Sequence, residues 1–526
     1  MTSKKAKTLI RGGRVYDRDG DIHLPAFRDV IVDGDRILAV EAPDSPRVRA
    51  LLQSAEQGGA FIIDATGKLV IPGLVNAHYH SYDVLSKGRF EDMPFDVWAL
   101  HSQPAYWGRR SKAELRARTL LGALEALRHG ITTIQDMNSL VPQDEDTLDT
   151  ILAAYDEVGI RVVFSIAVRD LAALDIEPFL PRDLPADVAA LINGKPGDAK
   201  ADLAFLRAQL ARKNPLPPRL RWAIGPSGPQ RCSTELLEGL AEISADFDLP
   251  VLTHAYETRA QLARARTAYG TFGGSYVRYM REIGLLTHRT TLAHGVYLTR
   301  PEIDVLAEAG AGVVHNPLAN LKLKNGTAPL IDFRRAGINL ALGCDNCSCS
   351  DCQNLFQAMK MYALLAHGMD GEPSGVFACD AIDAATVGSA RAVGLAGEVG
   401  EVKPGMKADL VLIDLSDYAY QPFNSAARQM VYSETGRGVD TVMVDGEVVL
   451  SGGKPTRIDW DDFRGELRDI MAEVNADYAA IAERSAGAAP YLLEAARNVN
   501  RAPLGLNRYA GGGAVSDGSD AASAPK

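Results

Sequence analysis

His78-Tyr79-His80 sets two imidazoles two residues apart at the end of an apolar run. On a strand, side chains alternate between faces, so both histidines point one way and Tyr79 the other. Such a pair either holds a metal ion or is two ordinary polar histidines at a strand end, and the motif alone leaves both open. Similar residues close later apolar runs: His254 with Glu257 three positions on, then His294, then His315-Asn316, then Asp345. Chance explains any one of these placements but explains the set poorly, because the chain has only ten histidines. Three imidazoles and a carboxylate form a shell suited to Zn²⁺ or Fe²⁺, with a position left for water. A divalent ion lowers the pKa of bound water from 15.7 toward about 7. A leaving amine then needs a proton. Glu257 is placed to carry it, or else is an exposed residue at a helix start.

These side chains need a scaffold that brings them together. Eight apolar runs alternate with amphipathic stretches: Leu69–His80, Ile131–Met137, Arg161–Val168, Leu220–Ser227, Leu249–Glu257, Thr290–Tyr297, Ala311–Pro317 and Ile338–Asp345. They are short and rich in Val, Ile and Leu, as parallel strands buried on both faces should be. Ser111-Lys-Ala-Glu reads as a capping box and Ser233-Thr-Glu as a second helix start. The pattern predicts an α/β fold, a (β/α)₈ TIM-type barrel with its polar residues at the C-terminal ends of the strands. An open doubly wound sheet is the competitor, weakened by the lack of Gly-x-Gly-x-x-Gly after the first strand. Both chain ends read as β structure. Asp33-Gly34 and Asp445-Gly446 mark hairpins, predicting a small β-sandwich built from residues 1–70 and 396–455 around a barrel at 71–395. Residues 456–526 read as a helical extension, helical over Phe463–Glu483, with a disordered tail from Gly511. The Pro- and Asp-rich stretch from Asp170 to Gly197 reads as an insertion at the mouth.

Composition excludes several classes. The chain has 526 residues, 46% hydrophobic and 23% charged, enough for a large core. Mean hydropathy is -0.07 and no long apolar run occurs, which argues against a membrane partner. A net charge of -11 argues against nucleic acid, leaving a small-molecule substrate. A nucleic-acid deaminase would also want a different His/Cys zinc signature. Met1 to Lys7 do not read as a secretory signal, and six cysteines read as no disulfide framework, so a cytoplasmic location is expected. Four of them crowd together as Cys344, Cys347, Cys349 and Cys352, in a spacing that fits no standard zinc ribbon. Trp98, Tyr106 and Trp107, after the first strand, either stack on a planar substrate or pack beneath their loop. Arg169 either meets an anionic substituent or pairs with Asp170 or another neighbour.

The ordered set of motifs resembles the amidohydrolase superfamily, in the branch of triazine hydrolases and S-adenosylhomocysteine, guanine and cytosine deaminases. The resemblance rests on Ile71-Pro-Gly-Leu-Val-Asn-Ala-His-Tyr-His, Glu125-Ala-Leu-Arg-His-Gly-Ile-Thr-Thr, His254-x-x-Glu257, Leu292-Ala-His-Gly, His315-Asn-Pro with Asn320-Leu-Lys-Leu, Leu342-Gly-Cys-Asp and Gly405-Met-Lys-Ala-Asp-Leu-Val-Leu-Ile-Asp. It implies that His78, His80, His254 and Asp345 bind one divalent ion, zinc by preference and iron otherwise. It implies that His294 orients water or substrate, that Asp345 takes a proton from the attacking water, and that Glu257 shuttles protons. Trp98, Trp107, Arg169, His315 and Asn316 are the candidate substrate contacts. Binuclear relatives carry a lysine at the end of the fourth strand, where this chain has Gly225-Pro-Ser227, so one metal is implied. The implied reaction is hydrolytic deamination of a planar N-heterocycle or amidine carbon by a homo-oligomer. Hydrolysis of an aryl-urea, amide or C–Cl bond is the alternative, and a non-catalytic barrel the alternative of another class. Three departures stand out. Ser227 falls where nucleoside-type deaminases carry histidine, which argues against a ribose-bearing substrate. Ala319 replaces the usual serine, and Cys344-Asp-Asn-Cys-Ser-Cys-Ser-Asp-Cys replaces a Gly-Thr-Asp-Gly type.

Overall fold

A computed structural model describes residues 6–103, 107–212, 217–369 and 371–509. Leu74–His80, Ile131–Asn138, Arg161–Val168, Leu220–Pro226, Val251–Ala255, Thr290–His294, Gly312–His315 and Asn339–Leu342 pair in parallel, each with the next. Asp345–Asn346 continues the eighth strand and pairs in parallel with Tyr79 and His80 of the first, so the ring closes. Helices cover the outside. Lys112–Arg128 begins where the Ser111 hydroxyl accepts the Glu114 N–H, and Thr234–Phe247 begins where Ser233 accepts that of Leu236.

Two of the predicted runs are each two pieces. Lys68–Pro72 pairs antiparallel with Leu410–Asp414 in a different sheet, and only Leu74–His80 enters the barrel. The pivot is Gly73, where a Cβ would lie 2.0 Å from the Thr132 hydroxyl. The eighth run breaks at Gly343, whose Cβ would lie 2.2 Å from Asn316 Oδ1 and 2.8 Å from His78 Cβ. No side chain fits there while those two hold their places.

Both chain ends build the second sheet, as expected. Its nine strands, mostly antiparallel, form one hydrogen-bonded surface drawn from Lys7–Pro72 and Leu410–Pro455. The Asp445-Gly446 hairpin turns with φ of 50° and 75° at its two central residues. The sheet is tied to the third barrel strand by Arg161, buried, which donates from Nε and Nη2 to Asp409 at 2.9 and 3.0 Å. Asp409 also accepts the Asp445 N–H at 2.8 Å. Asp409→Ala would leave a guanidinium buried without its main partner, and urea unfolding should show a loss of about 3–5 kcal/mol.

The Asp170–Gly197 insertion carries two short helices, Ala173–Ile176 and Ala186–Asn193. The helix expected over Phe463–Glu483 runs from Trp460 to Ser485. A second, Ala489–Arg501, was not foreseen from the sequence; it buries Leu492, Ala495 and Val499 on one stripe. The tail from Gly511 lies outside the described residues. No helix among the described residues is long and apolar enough to cross a membrane.

Candidate active site and metal centre

Strand alternation does for His78 and His80 what the sequence requires. Their ring centroids are 4.7 Å apart inside the barrel, while Tyr79 turns outward against Gly122, where a Cβ would overlap its hydroxyl. His254 and Asp345 arrive from the fifth and eighth strands. Nε2 of His78 and of His80 each lie 3.5 Å from Asp345 Oδ1, and the Nε2 atoms of His80 and His254 are 3.3 Å apart. His80 Nδ1 donates to the Met137 carbonyl at 2.6 Å and His254 Nδ1 to that of Ser227 at 2.8 Å. These carbonyls accept only, so both Nε2 atoms carry lone pairs. The 3.3 Å approach is therefore two lone pairs facing each other, an arrangement that a cation between them stabilises. Both ring nitrogens of His78 are buried without a hydrogen-bond partner.

Electrostatics point the same way. Burial, reinforced by the neighbouring imidazoles, lowers His254 well below its ordinary value and His80 to about 3. Burial likewise lowers His78. All three rings are neutral near pH 7, the form that ligates metal. Burial alone would raise Asp345, but the close approach of His78 and the imidazoles of His294 and His80 hold its carboxyl far below the usual range. Donor atoms of His78, His80 and Asp345 fall within 4.8 Å of one another, as do those of His78, His254 and His294. The donor set fits one divalent ion.

His294 and Asp345 both have left-handed backbone, with φ of 75° and 63°. Such strain in residues other than glycine gathers at functional sites. It turns His294 Nε2 toward Asp345 Oδ2, 3.7 Å away, and toward Glu257 Oε1, 3.8 Å away. Glu257 is 3% exposed, and burial raises its pKa. A carboxyl so placed can hold a proton and give it up again.

Several supporting residues escaped the sequence reading. Asn320 Oδ1 accepts from His294 Nδ1 at 2.8 Å, and Asn325 Nδ2 donates to Glu257 Oε1 at 3.2 Å. Asn76 Oδ1 accepts the Cys344 N–H at 3.0 Å and so holds the broken eighth strand. Asp83 accepts the Cys347 and Ser348 N–H groups, each at 3.1 Å. Asn320 and Asn76 stand inside motifs quoted above, whereas Asp83 and Asn325 carried no signal.

A cleft of about 170 Å³ opens above the cluster. Trp98 lines it, with Nε1 donating to Ser348 Oγ at 2.9 Å. Arg169 also lines it, and the neighbouring Asp170 accepts the Ser233 N–H. The structure does not bring Trp107, His315 or Asn316 to the cleft wall. Trp107 packs with Tyr82 and with Val474 and Tyr478 of helix Trp460–Ser485, its ring N–H on the His101 carbonyl. His315 is fully buried, lowered to about 3 by burial and by His294, and Asn316 Nδ2 approaches His294 Nδ1 at 3.4 Å. Tyr106 lies outside the described residues. All six cysteines are free thiols, and none joins a metal-binding group among the described residues.

The sequence profile of the Amidohydrolase family matches residues 69–449. The chain belongs to the amidohydrolase family. Among curated proteins, this amidohydrolase is 33% identical over 449 residues to a 5'-deoxyadenosine deaminase of Methanothermobacter thermautotrophicus, covering 85% of this chain and 93% of the relative. It is 32% identical over 445 residues to a 5-methylthioadenosine/S-adenosylhomocysteine deaminase of Nitratidesulfovibrio vulgaris, covering 85% and 94%. Among solved structures it is similar to a zinc-bound adenosine deaminase from Xanthomonas campestris, with TM-score 0.75, 25% identity and coverage of 90% and 99%. An atrazine chlorohydrolase from Arthrobacter aurescens shares the fold, with TM-score 0.74, 23% identity and coverage of 90% and 100%.

Proposed function

We propose that this amidohydrolase removes the exocyclic amine of an adenine-type heterocycle, releasing ammonia. The observation that carries the reading is the meeting of Glu257, His294 and Asp345 within 3.8 Å contacts directly over the His78/His80/His254 cluster. His78, His80, His254 and Asp345 hold the metal, which we assign as zinc from the three-imidazole, one-carboxylate donor set and the zinc-bound relative. When bound, the ion supplies a water activated for attack at neutral pH and a positive charge beside the reacting carbon.

The chain's own groups do the rest. Asp345 Oδ2 takes a proton from the attacking water. His294, whose Nδ1–H is held by Asn320, presents Nε2 as an acceptor that orients the attacking water. Glu257, whose burial favours the protonated form, gives its proton to the ring nitrogen beside the carbon under attack. The C–O bond forms, the carbon becomes tetrahedral, and Glu257 relays the proton delivered through Asp345 to the departing amine. The C–N bond breaks, the hydroxyl gives its remaining proton through Asp345 back to Glu257, and the ring keeps a carbonyl. Trp98, locked by Ser348, offers a flat wall for the heterocycle.

Ser227 argued against ribose, yet the named relatives act on ribose-bearing adenosine derivatives. A single experiment addresses both points. Zinc-loaded protein is incubated with adenine, adenosine, 5'-deoxyadenosine, S-adenosylhomocysteine and atrazine, and ammonia and chloride are measured. Ammonia from at least one adenine compound is expected, and adenine against the nucleosides reads the need for ribose. Chloride from atrazine with no ammonia from any adenine compound would overturn the reading.

A further inference from the structure

The end of the described chain bonds to Arg259, two residues past Glu257, and to the loop of Asn325, whose side chain reaches Glu257. Arg259 is 7% exposed. Its guanidinium donates from Nε to the Val499 carbonyl at 3.0 Å, from Nη2 to that of Ala502 at 2.7 Å, and from Nη1 to that of Leu506. Val499 and Ala502 sit at the C-terminal end of helix Ala489–Arg501, where carbonyls lack helical partners and the dipole favours a cation. A planar fork that meets three carbonyls at once fixes position in a way a lysine would not.

The second contact is with the loop that carries Asn325. The Thr327 N–H donates to the Arg508 carbonyl at 2.8 Å, and Arg508 Nη2 donates to the Leu298 carbonyl at 2.8 Å. Gly326 has φ of 101°, and a Cβ on it would lie 2.7 Å from the Arg508 carbonyl oxygen. The backbones touch there, which only glycine permits. Asn325 in turn donates to Glu257 and, through its own N–H, to the Asn320 carbonyl at 2.8 Å; Asn320 holds His294.

We propose that residues 499–508 form a positioning strap for the Glu257 carboxyl, acting through Arg259 and Asn325. The strap touches neither substrate nor metal; it narrows the range of positions the proton carrier can take. The inference rests on the reading of Glu257 as that carrier. A misplacement near 1 Å costs on the order of 10²-fold in rate when geometry is the limiting factor.

Two variants test it, Arg259→Met and Gly326→Ala, each made in the wild-type chain and in the Glu257→Gln background. Metal content, kcat, KM and amide hydrogen exchange of segments 254–262 and 320–327 are measured. In the wild-type background, kcat is expected to fall about 10-fold or more for each variant, with KM and metal content little changed and exchange of both segments faster. In the Glu257→Gln background the same changes should cost almost nothing further. An equal fold-loss in both backgrounds would reduce the strap to general support, and unaltered exchange would overturn the proposal outright. The exchange arm decides the strap even if the wild-type protein releases no ammonia, so a failure of the deaminase reading is distinguished from a failure of this one.

Discussion

His254→Ala is expected to leave a folded protein that has lost most of its metal and whose turnover falls to that of chelator-stripped enzyme. His254 arrives alone on the fifth strand, and its Nε2 is 3.3 Å from that of His80. Removing it takes one direct ligand away. The metal affinity should therefore drop by more than the roughly 10–100-fold that loss of an outer-shell partner costs. Folding should survive, because the ring's own structural bond is a single one to the Ser227 carbonyl. Metal per chain, read by elemental analysis beside a thermal unfolding curve, checks both halves. Full metal and full turnover in a folded variant would contradict the assignment. The same cluster sets a pH dependence. His78, His80 and His254 have folded pKa values below the unfolded value near 6.5, so the unfolded chain binds more protons below that pH. Their contribution to stability is intact above about pH 6.5 and is lost as the pH falls below it. Metal uptake should weaken over the same window, since protonated imidazole cannot ligate.

Most of the site's inner ring was legible because it obeys strand arithmetic. His78 and His80 share a face whatever the rest of the chain does, and a histidine ending each of several Val/Ile/Leu runs meets the others once the barrel closes. The break in the first run was harder. Pro72-Gly73 is a turn signal in the sequence, but the apolar pattern continues across it because both halves are buried, in two different sheets. Trp107 shows the other limit. An indole near a pocket either stacks on substrate or packs on the protein. Here the choice was made by Val474 and Tyr478 on a helix far along the chain, which no local pattern could reveal. The cysteine-rich segment had a similar fate. Its backbone N–H groups at Cys347 and Ser348 serve Asp83, the Ser348 hydroxyl serves Trp98, and the Cys349 and Cys352 thiols donate to the Asn346 carbonyl and Gln357 Oε1. Asn325 is the plainest omission, because a lone asparagine in a loop carries no sign of the carboxyl it will reach.

Glu257→Gln separates holding the metal from moving the proton. The amide keeps the shape of the carboxyl, its oxygen can still accept from Asn325, and the backbone N–H of residue 257 still donates to Gln261 Oε1, so the cleft should stay as it is. None of the four proposed ligands changes, and metal content should match the wild type. What is lost is a group that both gives and takes a proton at one place. Burial raises the Glu257 pKa, keeping the protonated form available closer to neutrality than an exposed carboxyl would. A glutamine supplies N–H hydrogens that it cannot release at neutral pH. Turnover should fall by about 10²–10⁴-fold, the usual range for a missing acid–base group, with KM changed far less. The comparison with His254→Ala is the informative one: one variant loses metal and rate together, the other rate alone. Undiminished turnover in Glu257→Gln with full metal would exclude the shuttle and move proton transfer to His294 or Asp345, the other two groups that meet at this point in the cleft.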